Sequence, residues 1–238
     1  YNKMLERLSE AFKIQRQFTE NAAHELRTPL SLMQIQLDLY NSGKHPGNDA
    51  DTIQTIKMVT EQNERLSKMV KTLLDMSELQ TVGRDETIIV NALIDEVLAD
   101  LEPLAQEKNI KLIGKCKDVN MVGSDILIYR LVYNLVENAI KYNHSGGQVI
   151  VEAYQKEKQV YLSVEDTGSG IPEELKERVF EPFFRVDKSR SRELGGVGLG
   201  LALVNEIVRV HDGSIAIRPN PSGGTIIEVQ FAVSRTTA

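Results

Sequence analysis

The chain has 238 residues, 41% hydrophobic and 26% charged, which suits one large globular domain or two modest ones. A formal net charge of −6 argues against a general nucleic-acid footprint and against attraction to anionic lipid. The single cysteine, Cys116, excludes an internal disulfide and a cysteine-built zinc site, and points to a reducing compartment in which it is a small buried apolar residue.

No run approaches the ~18 consecutive apolar residues of a membrane span, and no signal peptide is visible. The sequence opens at Tyr1 rather than Met, so it reads as a fragment whose N-terminal part has been cut away.

The first eighty residues predict two long helices. Leu5, Leu8, Phe12, Phe18, Ala22, Leu26, Met33, Leu37 and Tyr40 keep a spacing of three or four, with a gap at Gln15. Ile53, Ile56, Val59, Leu66, Val70 and Leu73 do the same, interrupted at Asn63. Each helix therefore carries an apolar stripe. Between them, Gly43, Pro46 and Gly47 break the helix and reverse the chain. A lone hairpin has one line of contact, so stripes this long leave apolar surface over. Two hairpins closing into a four-helix bundle would bury it, which predicts a homodimer. Packing of the hairpin on the rest of the same chain is the competing explanation.

From about residue 81 the periodicity changes. Strands are expected at 87–90, 110–113, 149–153, 160–165, 214–217 and 225–231, and helices at 91–107, 125–142 and near 199–210. The mixture, with hairpin-like strand pairs late in the chain, predicts an α+β layer of helices on a mixed sheet. The join falls near Thr81-Val-Gly83, where Gly83 is a permissive hinge position.

Several segments could carry chemistry. In His24-Glu-Leu-Arg-Thr-Pro29, His24 lies about 200° around a helix from both Ala22 and Leu26, away from the apolar stripe. Thr28, one turn on, shares its face. Glu25 could fix the imidazole tautomer and stabilise developing positive charge, which makes His24 a candidate nucleophile. A zinc motif would need a second histidine where Thr28 stands. Taken alone, the hexapeptide is more often a solvated surface histidine. Pro29 inside the helix implies a kink.

Asn134, Asn138 and Lys141 share one face of the 125–142 helix. Carboxamide oxygens suit a hard cation such as Mg2+, and lysine suits phosphate, although a polar outer face explains the same pattern. Asp166-Thr-Gly168-Ser-Gly170 follows a strand, and Gly195-Gly-Val-Gly198-Leu199-Gly200 opens a helix. Backbone N–H groups at such a helix start bind phosphate, and glycine lets the backbone approach. Neither fits Gly-x-Gly-x-x-Gly. The P-loop signature and the His-Arg-Asp and Asp-Phe-Gly signatures of Ser/Thr/Tyr kinases are absent. Arg185, Lys188, Arg190 and Arg192 lie between the glycine segments, as in a basic lid over polyphosphate or an ordinary surface loop.

Taken in order, these segments resemble the sensor histidine kinases of two-component signalling over nearly the whole chain. The resemblance implies an α-helical hairpin that forms a dimeric four-helix bundle, followed by a Bergerat-type ATP-binding α+β sandwich. It divides the chain into a dimerisation and histidine-phosphotransfer domain at 1–80 and a catalytic domain at 81–238. It implies ATP and Mg2+ as the bound groups and a response-regulator receiver domain as partner, with the membrane reached only through a missing N-terminal part. The chain would then be the cytoplasmic portion of a membrane-anchored bacterial sensor.

Residue by residue, the resemblance makes His24 the phosphoacceptor and Glu25 its acid–base partner. Thr28 would position water for dephosphorylating the regulator. Asn138 would ligate Mg2+. Asn134 and Lys141 would lie near the phosphates, and Tyr142 against adenine. Asp166 would accept from the adenine amino group in a turn shaped by Gly168 and Gly170. Glu181-Pro-Phe-Phe-Arg185 matches the phenylalanine box, with Phe183 and Phe184 equally suited to anchoring a lid. Gly196, Gly198, Leu199 and Gly200 belong to the phosphate cradle, Arg185 and Lys188 to the lid, and Thr225 to the last glycine motif. Val197 departs from the family, standing where a small hydroxyl residue is common. A gyrase-like ATPase that only drives a dimer clamp would carry a glutamate base at position 134, where this chain has Asn134. A scaffold with a dead pocket is disfavoured by the intact Asn138, Asp166 and glycine segments.

Overall fold

A computed structural model describes residues 2–41, 49–186 and 196–233. They fall into two compact units, Tyr1–Leu74 with Gly195–Val197, and Asp75–Leu194 with Gly198–Ala238.

The first unit is built on α1 (Asn2–Asn41) and most of α2 (Asp49–Glu78), as the apolar spacing predicts. Helix α1 continues through Pro29, whose ring removes one i→i−4 hydrogen bond but does not end the helix. At the tip of the hairpin the Tyr40 hydroxyl lies 3.5 Å from Thr52 Oγ1. The glycine and proline residues expected to turn the chain lie outside the described residues. The stripes are incompletely covered: Phe12, Leu37, Tyr40, Ile53, Ile56 and Val70 all remain exposed. That surplus is what the sequence pattern led one to expect of a hairpin standing alone.

The second unit contains β1 (Glu86–Ile89), α3 (Val90–Glu107), β2 (Lys111–Cys116), β3 (Asn120–Gly123), α4 (Asp125–Lys141), β4 (Gln148–Lys156), β5 (Gln159–Asp166), α5 (Gly200–Val210), β6 (Ser214–Pro219) and β7 (Thr225–Ala232). Two 3-10 turns, Glu173–Leu175 and Arg178–Phe180, follow β5. The main sheet runs β2-β4-β5-β7-β6, with β2 parallel to β4 and the other pairs antiparallel. A small antiparallel ladder joins β1 to β3.

Burial alternates along β7, as a sheet with one covered face requires. Val149, Val151, Leu162, Val164, Val229 and Phe231 point inward and meet the buried stripes of α3, α4 and α5. Each fully buried aliphatic side chain there contributes about 1.5–3 kcal/mol. Helix α4 has the longest such stripe, from Leu127 to Ile140, so its remaining face is fixed in direction. That face carries Asn134, Asn138 and Lys141. Cys116 is half-buried on the edge strand β2. Burial there pushes its thiol pKa up, which fits an inert structural role.

The last turn of α2 belongs to this second unit. Leu79 is buried in its core, Met76 and Val82 pack against that core, and Asp75 forms a 2.9 Å ion pair with Arg130 of α4. The Arg84 guanidinium donates to the Leu79 carbonyl. Thr81-Val-Gly83, expected to be a loose join, is thus flanked by anchored residues.

Candidate functional site

In the hairpin, His24 is exposed while Ala22 and Leu26 are half-buried, which agrees with the angular argument. Its neighbour Glu25 faces Arg65 of α2 at 3.8 Å, with both side chains mostly covered. The Glu25 carboxylate is thus drawn toward α2, across the hairpin. The Thr28 hydroxyl donates to the His24 carbonyl at 3.2 Å. Thr28 is exposed. The missing N–H of Pro29 and this back-bond fall on the same turn, where both loosen a helix.

In the second unit, the polar face of α4 meets the start of α5. The Asn134 amide donates to the Arg130 carbonyl at 2.7 Å, which turns its carbonyl oxygen outward. A Cβ on Gly200 would stand 2.9 Å from Asn134 Oδ1 and 3.5 Å from Asn138 Nδ2. Any larger residue at position 200 would crowd both carboxamides. Lys141 is ion-paired with Glu137 at 2.9 Å, so an anion there would share the ammonium with that carboxylate. The Lys108 ammonium caps the end of α4 through the Lys141 carbonyl.

Asp166 ends β5 and is the most constrained acid of the pocket. Its Oδ1 accepts from the N–H of Gly168 at 2.8 Å and of Thr225 at 3.3 Å. Burial raises its carboxyl above the ordinary aspartate pKa, and the two backbone donors pull it part of the way back. Glycine is required around it by close approach. A Cβ on Gly168 would stand 2.5 Å from the Tyr142 carbonyl, and one on Gly224 2.3 Å from the Asp166 carbonyl. Ser169 N–H donates to that same Tyr142 carbonyl, which joins the turn to the end of α4. Gly170 adopts a left-handed φ of 73°. Thr225 is buried beneath the turn.

The rim of the expected lid is also defined. Phe183 donates its N–H to the Gly198 carbonyl at 2.8 Å, so the chain leaves and returns at one point. Phe183 has a φ of 66° and Gly198 of 79°. A Cβ on Gly198 would lie 2.6 Å from the Phe184 carbonyl. Arg178 stacks over the Phe184 ring at 4.4 Å, a cation–π contact that anchors the phenylalanine pair. Arg185 is half-buried beside it, and Val197 and Leu199 are buried. Lys188, Arg190 and Arg192 lie outside the described residues, while Gly196 falls in the first unit.

The structure thus gathers Asn134, Asn138 and Gly200 at one place, and Asp166, Gly168, Thr225 and the Tyr142 backbone at another on the same unit. Sequence reasoning missed three contributors. Asn220 is buried and its amide donates to the Asp166 carbonyl at 2.7 Å. Asn143 accepts from the Thr167 hydroxyl at 3.2 Å and donates to the Gln148 carbonyl, which secures the segment after α4. Arg65 holds Glu25. The only sequence signal was turn composition around Asn220-Pro-Ser-Gly-Gly224.

Comparison with known proteins agrees with this geometry. Residues 14–82 match the His Kinase A (phospho-acceptor) domain. Residues 123–235 match the histidine kinase-, DNA gyrase B- and HSP90-like ATPases. The signal transduction histidine-protein kinase ArlS of Staphylococcus aureus is 33% identical over 240 residues, covering 97% of this chain and 52% of ArlS. The chain therefore spans about half the length of the curated relatives it matches. Among solved structures, histidine kinase ThkA in complex with response regulator protein TrrA superposes with a TM-score of 0.76 at 25% identity, covering 97% of this chain and 65% of that one. Histidine kinase AdeS of Acinetobacter baumannii shares the fold, with a TM-score of 0.73 at 24% identity over 89% of this chain and 98% of that one. From its phospho-acceptor helices to its ATP-binding sheet, the chain belongs to the sensor histidine kinase family.

Proposed function

We propose that the chain transfers the γ-phosphoryl group of ATP to His24 and then relays it to an aspartate on the receiver domain of a response regulator. The observation that carries this reading is the presence, on one chain, of an exposed imidazole next in sequence to Glu25, which pairs with Arg65, and of Asn134 and Asn138 against the glycine that opens α5.

The residues present fit Mg2+ and ATP. Asn138 would offer a carboxamide oxygen to a hard cation, its Nδ2 lying toward Gly200. Bound Mg2+ would neutralise charge on the phosphates, which is most of what phosphoryl transfer asks of a site. Asp166, whose Oδ1 is held by two backbone donors, would accept from the adenine amino group through its other oxygen. Tyr142 would lie against adenine, with Gly168, Gly170 and Thr225 setting the turn. Gly196, Gly198, Leu199 and Gly200 would cradle phosphate under a lid bearing Arg185 and Lys188.

At the acceptor, one nitrogen of neutral His24 forms the N–P bond while the β,γ-bridging P–O bond breaks and ADP leaves. Glu25 takes the proton from the other ring nitrogen. The labile P–N bond then suits the relay. Asn134 favours this chemistry over clamp-driving hydrolysis, because a carboxamide cannot serve as the general base. Thr28, exposed one turn from His24, would orient water for dephosphorylating the regulator, giving a bifunctional enzyme. The partner assignment follows from the ThkA–TrrA complex, in which a relative holds its regulator. We take 1–80 as the dimerisation and phosphotransfer domain and 81–238 as the ATP-binding domain. Membrane attachment would belong to sequence outside this chain, since no helix among the described residues is long and apolar enough to cross a membrane.

The test is mass spectrometry of the chain after incubation with Mg-ATP, kept alkaline throughout. A single phosphoryl group on the peptide containing His24 is expected. Phosphorylation only of serine, threonine or tyrosine would overturn the reading.

A further inference from the structure

His211 lies outside every motif discussed above, yet it joins the two helices that build the phosphate end of the pocket. It stands at the C-cap of α5. Its Nε2 faces the backbone N–H of Ser124, the N-cap of α4, at 3.1 Å. Its Nδ1 lies 2.9 Å from the Ile207 carbonyl. An N–H can only donate and a carbonyl can only accept, so the ring must be neutral with its proton on Nδ1. The ring is wedged in place. Cδ2 would lie 3.0 Å from a Cβ on Gly123, and the edge of Phe231 meets it at 5.9 Å and 70°.

At the other end of α5, Gly200 faces Asn134 and Asn138. Helices α4 and α5 are therefore antiparallel neighbours touching at both ends: His211 with Ser124, and Gly200 with the two carboxamides. At 1.5 Å per residue, the eleven steps from Gly200 to His211 set these contacts about 16 Å apart on a rigid rod. Fixing one end fixes the sliding register at the other, and packed helices shift in discrete steps of about 1–2 Å. We propose that His211 is a positioning residue for the nucleotide site, setting the register of α5 on α4 and hence the gap between Gly200 and the Asn134–Asn138 pair.

This rests on the nucleotide-binding reading above. It carries a pH consequence. Burial lowers the His211 pKa, with Arg84 acting in the same direction and the Ile207 bond and Asp212 opposing. On the α4 side the neighbouring charges are Asp125 and Glu86, whose carboxylate accepts from the Asp125 N–H. Because the folded-state pKa is depressed, the tie is intact above the ordinary histidine value of about 6.5 and weakens as pH falls below it. Protonated Nε2 can no longer accept from Ser124.

The experiment is calorimetric titration of the full chain with Mg-ADP. Wild type, His211→Ala and His211→Gln are compared at pH 7.5 and across the range below 6.5, with folding checked by circular dichroism. The glutamine carbonyl can replace Nε2 as acceptor without titrating. At pH 7.5, His211→Ala should bind roughly tenfold more weakly while folded, and His211→Gln should restore most of the affinity. Below pH 6.5, wild type should lose affinity faster than His211→Gln, a comparison that cancels titration of the ligand itself. A folded His211→Ala that binds like wild type overturns the proposal. Should that variant not fold, identical pH profiles for wild type and His211→Gln overturn it. Failure of wild type to bind Mg-ADP at all would instead refute the nucleotide reading.

Discussion

At the residue scale, the pocket acid Asp166 gives the sharpest stability-against-binding contrast. Its raised carboxyl pKa means that ionisation costs folding free energy. The favourable contribution is complete below the ordinary aspartate value of about 3.9 and is lost as pH rises through the higher folded value. Asp166→Asn keeps an acceptor for Gly168 and Thr225 but removes the charge. Without nucleotide at pH 7 it should melt at or above the wild-type temperature. Its ATP affinity should fall roughly tenfold to a hundredfold, the worth of a hydrogen bond to a charged group. A variant that is less stable yet binds normally would remove Asp166 from adenine recognition. Thr28→Ala and Glu25→Ala separate two activities on α1. The first should spare autophosphorylation and cut regulator dephosphorylation; the second should slow phosphorylation of His24. Rates for both variants in both assays decide it, and full phosphatase activity in Thr28→Ala would leave a kinase only. His24, Asn138 and Asp166 were named from the sequence because their chemistry sits in motifs of short spacing. Arg65, Asn220 and His211 were not, because their partners lie far along the chain: His211 reaches Ser124 across 87 positions.

At the scale of elements, most helices and strands were legible because each has one long, consistent period. Helix α4, expected at 125–142, spans Asp125–Lys141. Strand β3 was missed, since Asn120-Met-Val-Gly123 is too short to show alternation and gains its identity from pairing with β1. The two 3-10 turns were missed for the same reason. The end of α2 bears on the hinge expected near Thr81-Val-Gly83. Gly83 suggested a hinge by its permissiveness, but its φ is not left-handed and an added Cβ would meet only the Asp85 side chain, at 3.3 Å. Gly83→Ala should therefore leave melting temperature and phosphorylation within error of wild type. A marked loss of phosphorylation at unchanged stability would restore the hinge. Leu79→Ala, by contrast, empties a buried site in the ATP-binding unit and should cost about 2–5 kcal/mol in denaturant unfolding.

At the scale of the whole molecule, the apolar surface left on the hairpin demands a partner, and a second hairpin is the simplest. Ile53 and Ile56 are 66% and 60% exposed in the single chain, far more than a stripe meant for its own helix partner would leave. Light scattering on the full chain should return twice 26.7 kDa, and Ile53→Lys with Ile56→Lys should return it once. A folded wild-type monomer would refute the bundle. The order of the two matched domains, phospho-acceptor first and ATPase second, was legible from motif order. The central claim is that His24 is the acceptor and Asn138 serves the nucleotide. It is tested most directly by incubating wild type, His24→Gln and Asn138→Ala with γ-labelled ATP and Mg2+, then treating each with acid and with base. The account predicts label on wild type alone, lost in acid and retained in base. Acid-stable label, or label persisting on His24→Gln, would contradict it.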